Sequence, residues 1–355
     1  MDLKRDLIST TTKNCGIEIR MYEKSHALNE IMEPFISSVL WARNTLNQYG
    51  YHILDVPRMV RSMPWSTVIS FQTSEGSVYL KYMEKDFAYE PALLEYLNKQ
   101  KFPNLPSIIA INKGDNSFLM KDAGDPLRVT LRESYNTSLV CLVLRSCAKL
   151  QIACISHANS LIKLGASDWR LNKLPQLYQN FLSRKQLLIA DGLTLNEIEV
   201  LQSLSGLFEN LCQSLEAFSI PETLEHGDFH DNNVLLSKDK ITINDFGDST
   251  VSHPFFSITS FLSNTKRHYD FNGFSNIYVI LRDCYLQEWE ICANKDVLLQ
   301  AFDIALLVQP FIAGMNLARI ESCPDSDVLL EYHGHMAEQL RILINNMTAY
   351  KNGSI

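Results

Sequence analysis

Apolar residues recur at helical spacing over residues 31–49, where Met32, Phe35, Ile36, Val39, Leu40, Ala42 and Leu46 form a stripe that stops at Gly50. The period then changes. Residues 67–73 and 78–83 read as strands on either side of Ser74-Glu75-Gly76-Ser77, a hairpin with a glycine in its turn. On the second strand Val78, Leu80 and Tyr82 share one face, so Lys81 points to the other. A helix opens at Glu90-Pro91, where proline suits the first helical position. Glu90 lies on the stripe of Leu93, Leu94 and Leu97, whereas Glu95 falls off it, so Glu90 is the expected partner of Lys81. Two apolar runs, 108–111 and 118–120, flank the turn Lys113-Gly114-Asp115 and lead into Lys121-Asp122-Ala123-Gly124-Asp125.

Beyond residue 126 the pattern is mainly helical. Residues 139–164 read as one long apolar helix stopped by Gly165. Thr194-Leu195-Asn196-Glu197 is a capping box that opens a second helix, with Ile198, Leu201, Leu204, Phe208, Leu211 and Leu215 on its face. Further helices are expected from about residue 257 to the end. Between them, residues 234–237 and 241–244 form two short apolar-rich runs joined by Lys238-Asp239-Lys240, a second hairpin. Residues 1–30 are polar and weakly periodic and read as an N-terminal extension.

Composition adds bounds rather than detail. The 355 residues are 46% hydrophobic and 20% charged, enough for two packed lobes. A net charge of −8 argues against a general nucleic-acid binder, whose affinity would come from lysine and arginine neutralising phosphates. The eight cysteines, at 15, 141, 147, 154, 212, 284, 292 and 323, include no Cys-x-x-Cys pair and read as reduced core residues. The first residues, Met1-Asp2-Leu3-Lys4-Arg5-Asp6, open no signal peptide, and no run approaches the ~18 apolar residues of a membrane span. The expectation is a cytoplasmic protein without a membrane partner.

The chemistry concentrates in His226-Gly227-Asp228-Phe229-His230-Asp231-Asn232-Asn233 and, after the second hairpin, Asp245-Phe246-Gly247. A hairpin returns the chain, so Asp228, Asn233 and Asp245 are expected to cluster. Phosphoryl transfer needs a carboxylate that orients and deprotonates the attacking hydroxyl, and oxygen ligands that hold Mg2+ against the phosphates. These three residues supply those parts. A competing chemistry takes His226, Asp228, His230 and Asp231 as ligands of a first-row metal in a hydrolase, and leaves Asn233 and Asp245 unexplained.

The same residues carry a resemblance. His-Gly-Asp with Asn233 five residues after Asp228, and Asp-Phe-Gly beginning seventeen after it, resembles the aminoglycoside phosphotransferase and choline kinase branch of the protein-kinase-like fold. Protein kinases carry His-Arg-Asp at that place and an Ala-Pro-Glu further on, and neither is present. Pro64-Trp65-Ser66, residues 150–157, Gly165-Ala166-Ser167-Asp168-Trp169-Arg170 and Ser252-His253-Pro254-Phe255 look like a bacterial phosphotransferase subgroup of undefined substrate. The resemblance covers roughly residues 31 to 330.

It implies an α+β, bilobal protein-kinase-like fold, with a small N-lobe (31–124) built on an antiparallel sheet and a large, mainly helical C-lobe (125–355). It also implies ATP and Mg2+ as cofactors and a small-molecule hydroxyl as acceptor. Asp228 would be the catalytic base, and Asn233 and Asp245 the magnesium ligands. Lys81, held by Glu90, would neutralise phosphates. The adenine ring would meet the backbone at Met120, Lys121, Asp122 and Ala123, where the lobes join. Residues 61–67 take the place of the glycine-rich loop without a glycine, leaving a hydroxyl or amide of Ser66 or Thr67 as a phosphate contact. The acceptor site is expected from the helices after Asp245 and the 165–190 region, with Tyr269, Asp270, Glu288, Trp289 and Glu290 as candidates. A nucleotide-binding regulatory module without chemistry and a kinase acting on protein remain alternatives on the same fold.

Overall fold

The computed structural model describes residues 7–12, 17–22, 28–84, 88–238, 240–269, 274–320 and 330–354. They divide into two compact units. The first takes in the described residues up to Lys101 together with Leu105–Gly124; the second holds Phe102–Asn104 and the described residues from Asp125 onward.

The first unit is a seven-stranded sheet with two helices. Its strands are β1 (Leu7–Thr12), β2 (Ile17–Tyr22), β3 (Arg58–Met63), β4 (Ser66–Thr73), β5 (Gly76–Met83), β6 (Ile108–Asn112) and β7 (Ser117–Lys121). They lie in the order β1-β2-β3-β4-β5-β7-β6 and pair antiparallel, except for a parallel contact of β2 with β3 at Arg20 and Arg58. Leu7–Thr12 and Ile17–Tyr22, from the stretch read as an extension, therefore form a hairpin on this sheet. Helix α1 (Leu28–Gln48) sets Phe35, Val39, Ala42 and Leu46, spaced by four, three and four, against Ile69, Phe71, Val78, Leu80 and Leu119. Because Leu80 is fully buried in that layer, alternation turns Lys81 to the opposite face of β5. There α2 (Glu90–Lys99) begins, with Pro91 in its first turn.

The second unit is mainly helical: α3 (Leu127–Glu133), α4 (Thr137–Cys154), α5 (Ala158–Lys163), α6 (Leu174–Ser183), α7 (Lys185–Ala190), α8 (Leu195–Ser203), α9 (Ser205–Ala217), α10 (Phe255–His268), α11 (Phe274–Leu286), α12 (Lys295–Ile320) and α13 (His335–Lys351). Two small sheets sit among them. One orders β12 (Lys240–Ile243), β11 (Val234–Ser237) and β8 (Asp125–Pro126); the other orders β10 (Thr223–Glu225), β13 (Thr250–Ser252) and β9 (Ser167–Asp168). The capping box at Thr194 is formed in full, and Glu197 also binds Arg341 of α13 at 2.6 Å. That ion pair and the Thr194 hydrogen bonds pull the Glu197 carboxyl down to about 2.

Three expectations change. Residues 139–164 are not one helix: α4 tightens into a 3-10 turn at Ile155–His157 before α5, where Phe102 packs its ring edgewise on His157. No glycine or proline in that run announces the break. The 194–215 helix divides at Leu204, whose N–H is shared between the carbonyls of Val200 and Leu201. Cys141 of α4 and Cys284 of α11 are joined as a disulfide, with 5.6 Å between their Cα atoms. The spacing of cysteines along one helix says nothing about a partner on the next. Cys147, Cys154 and Cys212 are buried free thiols, and burial pushes all three up.

Thr137–Lys163 and Lys295–Ile320 are each long and apolar enough to cross a membrane by length and composition. The interior of the unit takes up 50% and 56% of their apolar windows, which accounts for that composition as core packing.

Candidate active site

In the second unit, β10 delivers the chain into the loop 226–233, β11 and β12 return it, and Asp245 follows. Gly227 has φ +80°, and a Cβ there would lie 2.2 Å from the Asp248 carbonyl oxygen, so only glycine fits. The approach brings the two loops together. His226 secures it: its Nε2–H donates to the Asn244 carbonyl at 3.0 Å, and its Nδ1 accepts from the Asp228 N–H at 3.4 Å. Burial holds this imidazole below its ordinary value, in keeping with a neutral ring carrying its proton on Nε2. The Asn244 N–H in turn donates to the Asn233 carbonyl at 2.8 Å. Asp245 stands next in a left-handed conformation, φ +65°.

Asp228 has a side chain 47% exposed. Asn233 Nδ2 donates to its Oδ2 and to its backbone carbonyl, both at 2.9 Å, and His230 Nε2 lies 3.3 Å from the same Oδ2. Enclosure by the loop pushes the Asp228 carboxyl up, but the His230 hydrogen bond and charge outweigh it and hold the group below its ordinary value. His230 is desolvated, which lowers it, yet Asp228 raises it above its ordinary value. The two form a mutually stabilised ion pair. Since Asn233 spends its amide nitrogen on Asp228, its Oδ1 is the end left to meet a cation.

The loop is braced from behind. Arg128 of α3 donates from Nε and Nη2 to Asp231 Oδ1 at 2.9 and 2.6 Å, and the Tyr269 hydroxyl donates to Oδ2. From α12, Asn316 Nδ2 donates to the Gly227 carbonyl at 3.1 Å, and Arg319 bonds Asp248 Oδ1 at 3.1 Å. With His226 committed to Asn244 and Asp231 to Arg128 and Tyr269, the metal-hydrolase reading loses its ligands. No group of three or more His, Cys, Asp or Glu side chains among the described residues is placed to hold a metal. Asn233 and Asp245 offer hard oxygen donors, and two protein oxygens suit Mg2+, which keeps water and substrate oxygens in its other positions.

In the first unit, Lys81 Nζ meets Glu90 Oε2 at 2.6 Å, with side chains 7% and 1% exposed. Glu95 instead pairs with Lys99 and Lys113 on the surface, and those bonds lower its carboxyl. Ser66 heads β4 opposite Met83, after the two-residue turn Pro64-Trp65. Met120 and Lys121 end β7; the N–H groups of Lys121 and Asp122 already donate to the carbonyls of Ser107 and Ser77. Asp122 Oδ1 accepts from the Gly124 N–H at 2.8 Å, closing the turn that holds Ala123.

Among the acceptor-site candidates, Tyr269 reaches the loop through Asp231, Trp289 is fully buried, and Glu288 faces Arg145 and Lys149. Glu290 is exposed, and Asp270 lies outside the described residues. The sequence alone pointed to none of Arg128, Asn316 and Arg319, and gave His230 a place among the ligands of the hydrolase alternative rather than a pairing with Asp228. Asn316 and Arg319 had a signal: they are polar residues three apart in the otherwise apolar last part of α12, residues 310–320.

A model of the phosphotransferase enzyme family matches residues 84–293, more than half of the chain. Among solved structures, a choline kinase from Cryptosporidium parvum Iowa II is 12% identical, with a TM-score of 0.60 over 89% of this chain and 97% of that one. An ethanolamine kinase from Plasmodium vivax is 11% identical, with a TM-score of 0.58 over 84% of each chain. An amicoumacin kinase solved with AMP-PNP and Ca2+ is 12% identical, with a TM-score of 0.55 over 88% and 96%. At these identities the likeness is one of fold, and the fold is α+β and kinase-like. No curated protein matches the chain.

Proposed function

The chain belongs to the phosphotransferase enzyme family, and from that premise we propose that it moves the γ-phosphate of ATP to a hydroxyl of a small molecule in a Mg2+-dependent reaction. One observation carries the reading: Asn233 Nδ2 donates to Asp228 Oδ2, so a single hydrogen bond of 2.9 Å orients the base and the cation ligand together. With Oδ2 engaged by Asn233 and His230, Asp228 Oδ1 is the atom that receives the acceptor hydroxyl and takes its proton as the oxygen attacks phosphorus. A carboxylate held below its ordinary value is a weak base. Its service is alignment, and the loose transition state of phosphoryl transfer asks for little more. Bound Mg2+ supplies charge neutralisation at the phosphate oxygens, with Asn233 Oδ1 and the Asp245 carboxylate as its protein ligands. Lys81, held extended by Glu90, is assigned to the phosphates, and Ser66 to a lesser contact there. Adenine recognition in the 120–123 stretch falls to groups other than the Lys121 and Asp122 amides, which the sheet has used.

The acceptor class is open to direct test. A panel of sugars, amino alcohols and aminoglycosides is assayed for substrate-dependent ADP release, with Asp228→Asn as the blank. Release above the blank with one class names the acceptor. Tight Mg-ATP binding with no release across the panel, equal in wild type and Asp228→Asn, supports a regulatory module instead.

A further inference from the structure

Glu225 is the last residue of β10, 2% exposed, and the transfer chemistry makes no use of it. Its Oε1 accepts from the Gly227 N–H and from Ser257 Oγ, each at 3.0 Å, and its Oε2 faces Thr250 Oγ1 at 3.3 Å. Ser257, fully buried on α10, gives its one proton to Glu225 and accepts from the His226 N–H at 3.0 Å and from Gln151 Nε2 at 3.3 Å, which fills the hydroxyl's capacity. The two amide protons of Gln151 of α4 are shared among Ser257 Oγ and the carbonyls of Leu224 and Pro254, and its Oε1 accepts from the Tyr285 hydroxyl of α11 at 2.6 Å. Elements β10, β13, α4, α10 and α11 thus meet in one buried polar knot whose end is the Gly227 amide.

Resting on the kinase reading above, we propose that Glu225 is a positioning residue: it clamps the Gly227 peptide and thereby sets the direction in which Asp228 is presented. Gly227 is held at both polar ends, its N–H by Glu225 and its carbonyl by Asn316. Glycine's freedom at φ +80° lets the chain make this turn and also lets it rotate away unless something stops it. Asp228 follows directly, so rotation of that peptide swings the carboxylate off the acceptor oxygen, and a displacement of about 1 Å costs about 10²-fold in rate.

The charge state fits the same geometry. Burial pushes the Glu225 carboxyl up to about 7 against the pull of the Gly227, Ser257 and Thr250 hydrogen bonds, and the Asp228 charge pushes it the same way as burial. The other titratable groups facing it are Cys147 of α4 and Tyr285 of α11, both themselves raised by burial. Thr250 Oγ1 donates to Oε2 in the charged form; because Oε1 already receives the Gly227 N–H, the proton of the neutral form goes on Oε2 and the Thr250 hydroxyl turns to accept it. The clamp on Gly227 then survives in either charge state. Glutamine reproduces the protonated form atom for atom, with its NH2 at the Oε2 place, whereas aspartate keeps the charge and loses the reach by one methylene.

Three variants of the full chain, Glu225→Gln, Glu225→Asp and Glu225→Ala, are compared by ADP release from Mg-ATP and by hydrogen exchange of the 225–233 peptide. Glu225→Asp and Glu225→Ala should lose about 10²-fold in kcat with KM for Mg-ATP little changed, and should exchange that peptide faster. Glu225→Gln should restore most of the rate and the protection, and should flatten any dependence of kcat on pH near neutrality. Wild-type kcat and exchange in Glu225→Asp would overturn the proposal, as would Glu225→Gln being as damaged as Glu225→Ala. Should Glu225→Ala fail to fold, the Gln and Asp pair still separates reach from charge. If wild type releases no ADP and Mg-ATP does not raise its melting temperature, the kinase reading fails, while the exchange comparison still decides whether Glu225 holds the loop.

Discussion

His230 and Asp228 show how one contact sets the charge of both its partners. The carboxylate is held below its ordinary value of 3.8 and the imidazole above its ordinary value of 6.5, so between those values both are charged in the folded protein. The sign follows for each partner. The Asp228 contribution to stability is present above 3.8 and lost as pH falls through its depressed value; that of His230 is present below 6.5 and lost as pH rises through its elevated one. His230→Gln should therefore let the Asp228 carboxyl move upward, and the acid limb of the kcat/KM profile should shift to higher pH with it. An unmoved limb would mean that the pair does not form in solution. Asp228→Asn should keep Mg-ATP binding and lose about 10²- to 10⁴-fold in transfer, a contrast read by calorimetry beside single-turnover kinetics. Gly227→Ala meets a steric limit as well. A left-handed non-glycine residue costs roughly 1–3 kcal/mol, and the 2.2 Å approach to Asp248 adds a clash with backbone, so urea unfolding should show a loss at or above that range.

Elements decide which of several acidic or basic residues can act, and the clearest case is α2. Its register buries Glu90 with Leu93, Leu94 and Leu97 and leaves Glu95 to surface lysines. Lys81→Ala should impair catalysis and also break an ion pair whose carboxylate is 1% exposed, at a cost of about 3–5 kcal/mol. Adding Glu90→Ala should recover part of that stability while making the rate little worse, because the two side chains work as a unit. Glu95→Ala should be mild, and melting curves run beside kinetics on the four variants check all of this. What made α2 legible was periodicity: a stripe at 3.6 and a proline at its start fix which face looks inward. The same logic gave the 67–83 hairpin and the face of Lys81. It failed at Ile155–His157, where a tertiary contact with Phe102 bends a run that has no local breaker, and at Cys141 and Cys284, whose meeting is set by the packing of α4 on α11. Asp228 and Asn233 were legible because their spacing is short. Glu225 carried no such mark, and the spacing of Asn316 and Arg319 marks a polar face on α12 without naming its partners, which lie 89 and 71 residues away in sequence.

At the scale of the whole molecule, Lys81 and Glu90 belong to the first unit and Asp228, Asn233 and Asp245 to the second. Family membership gives the reaction class and the fold, and it leaves the acceptor to be named by the substrate panel. The property of the entire chain that a nucleotide should change is its stability. A ligand that binds the folded state alone stabilises it by about 2.7 kcal/mol at one hundred times its Kd. Mg-ATP should accordingly raise the melting temperature by roughly 2–4 °C, rising with concentration, and ATP with excess EDTA should do markedly less. Asp245→Ala, which removes the charged one of the two proposed magnesium ligands, should shrink the Mg-ATP shift towards that seen with EDTA. Equal shifts in wild type and Asp245→Ala would show that the cation is held elsewhere, and no shift in wild type at millimolar Mg-ATP would remove nucleotide binding from the account altogether.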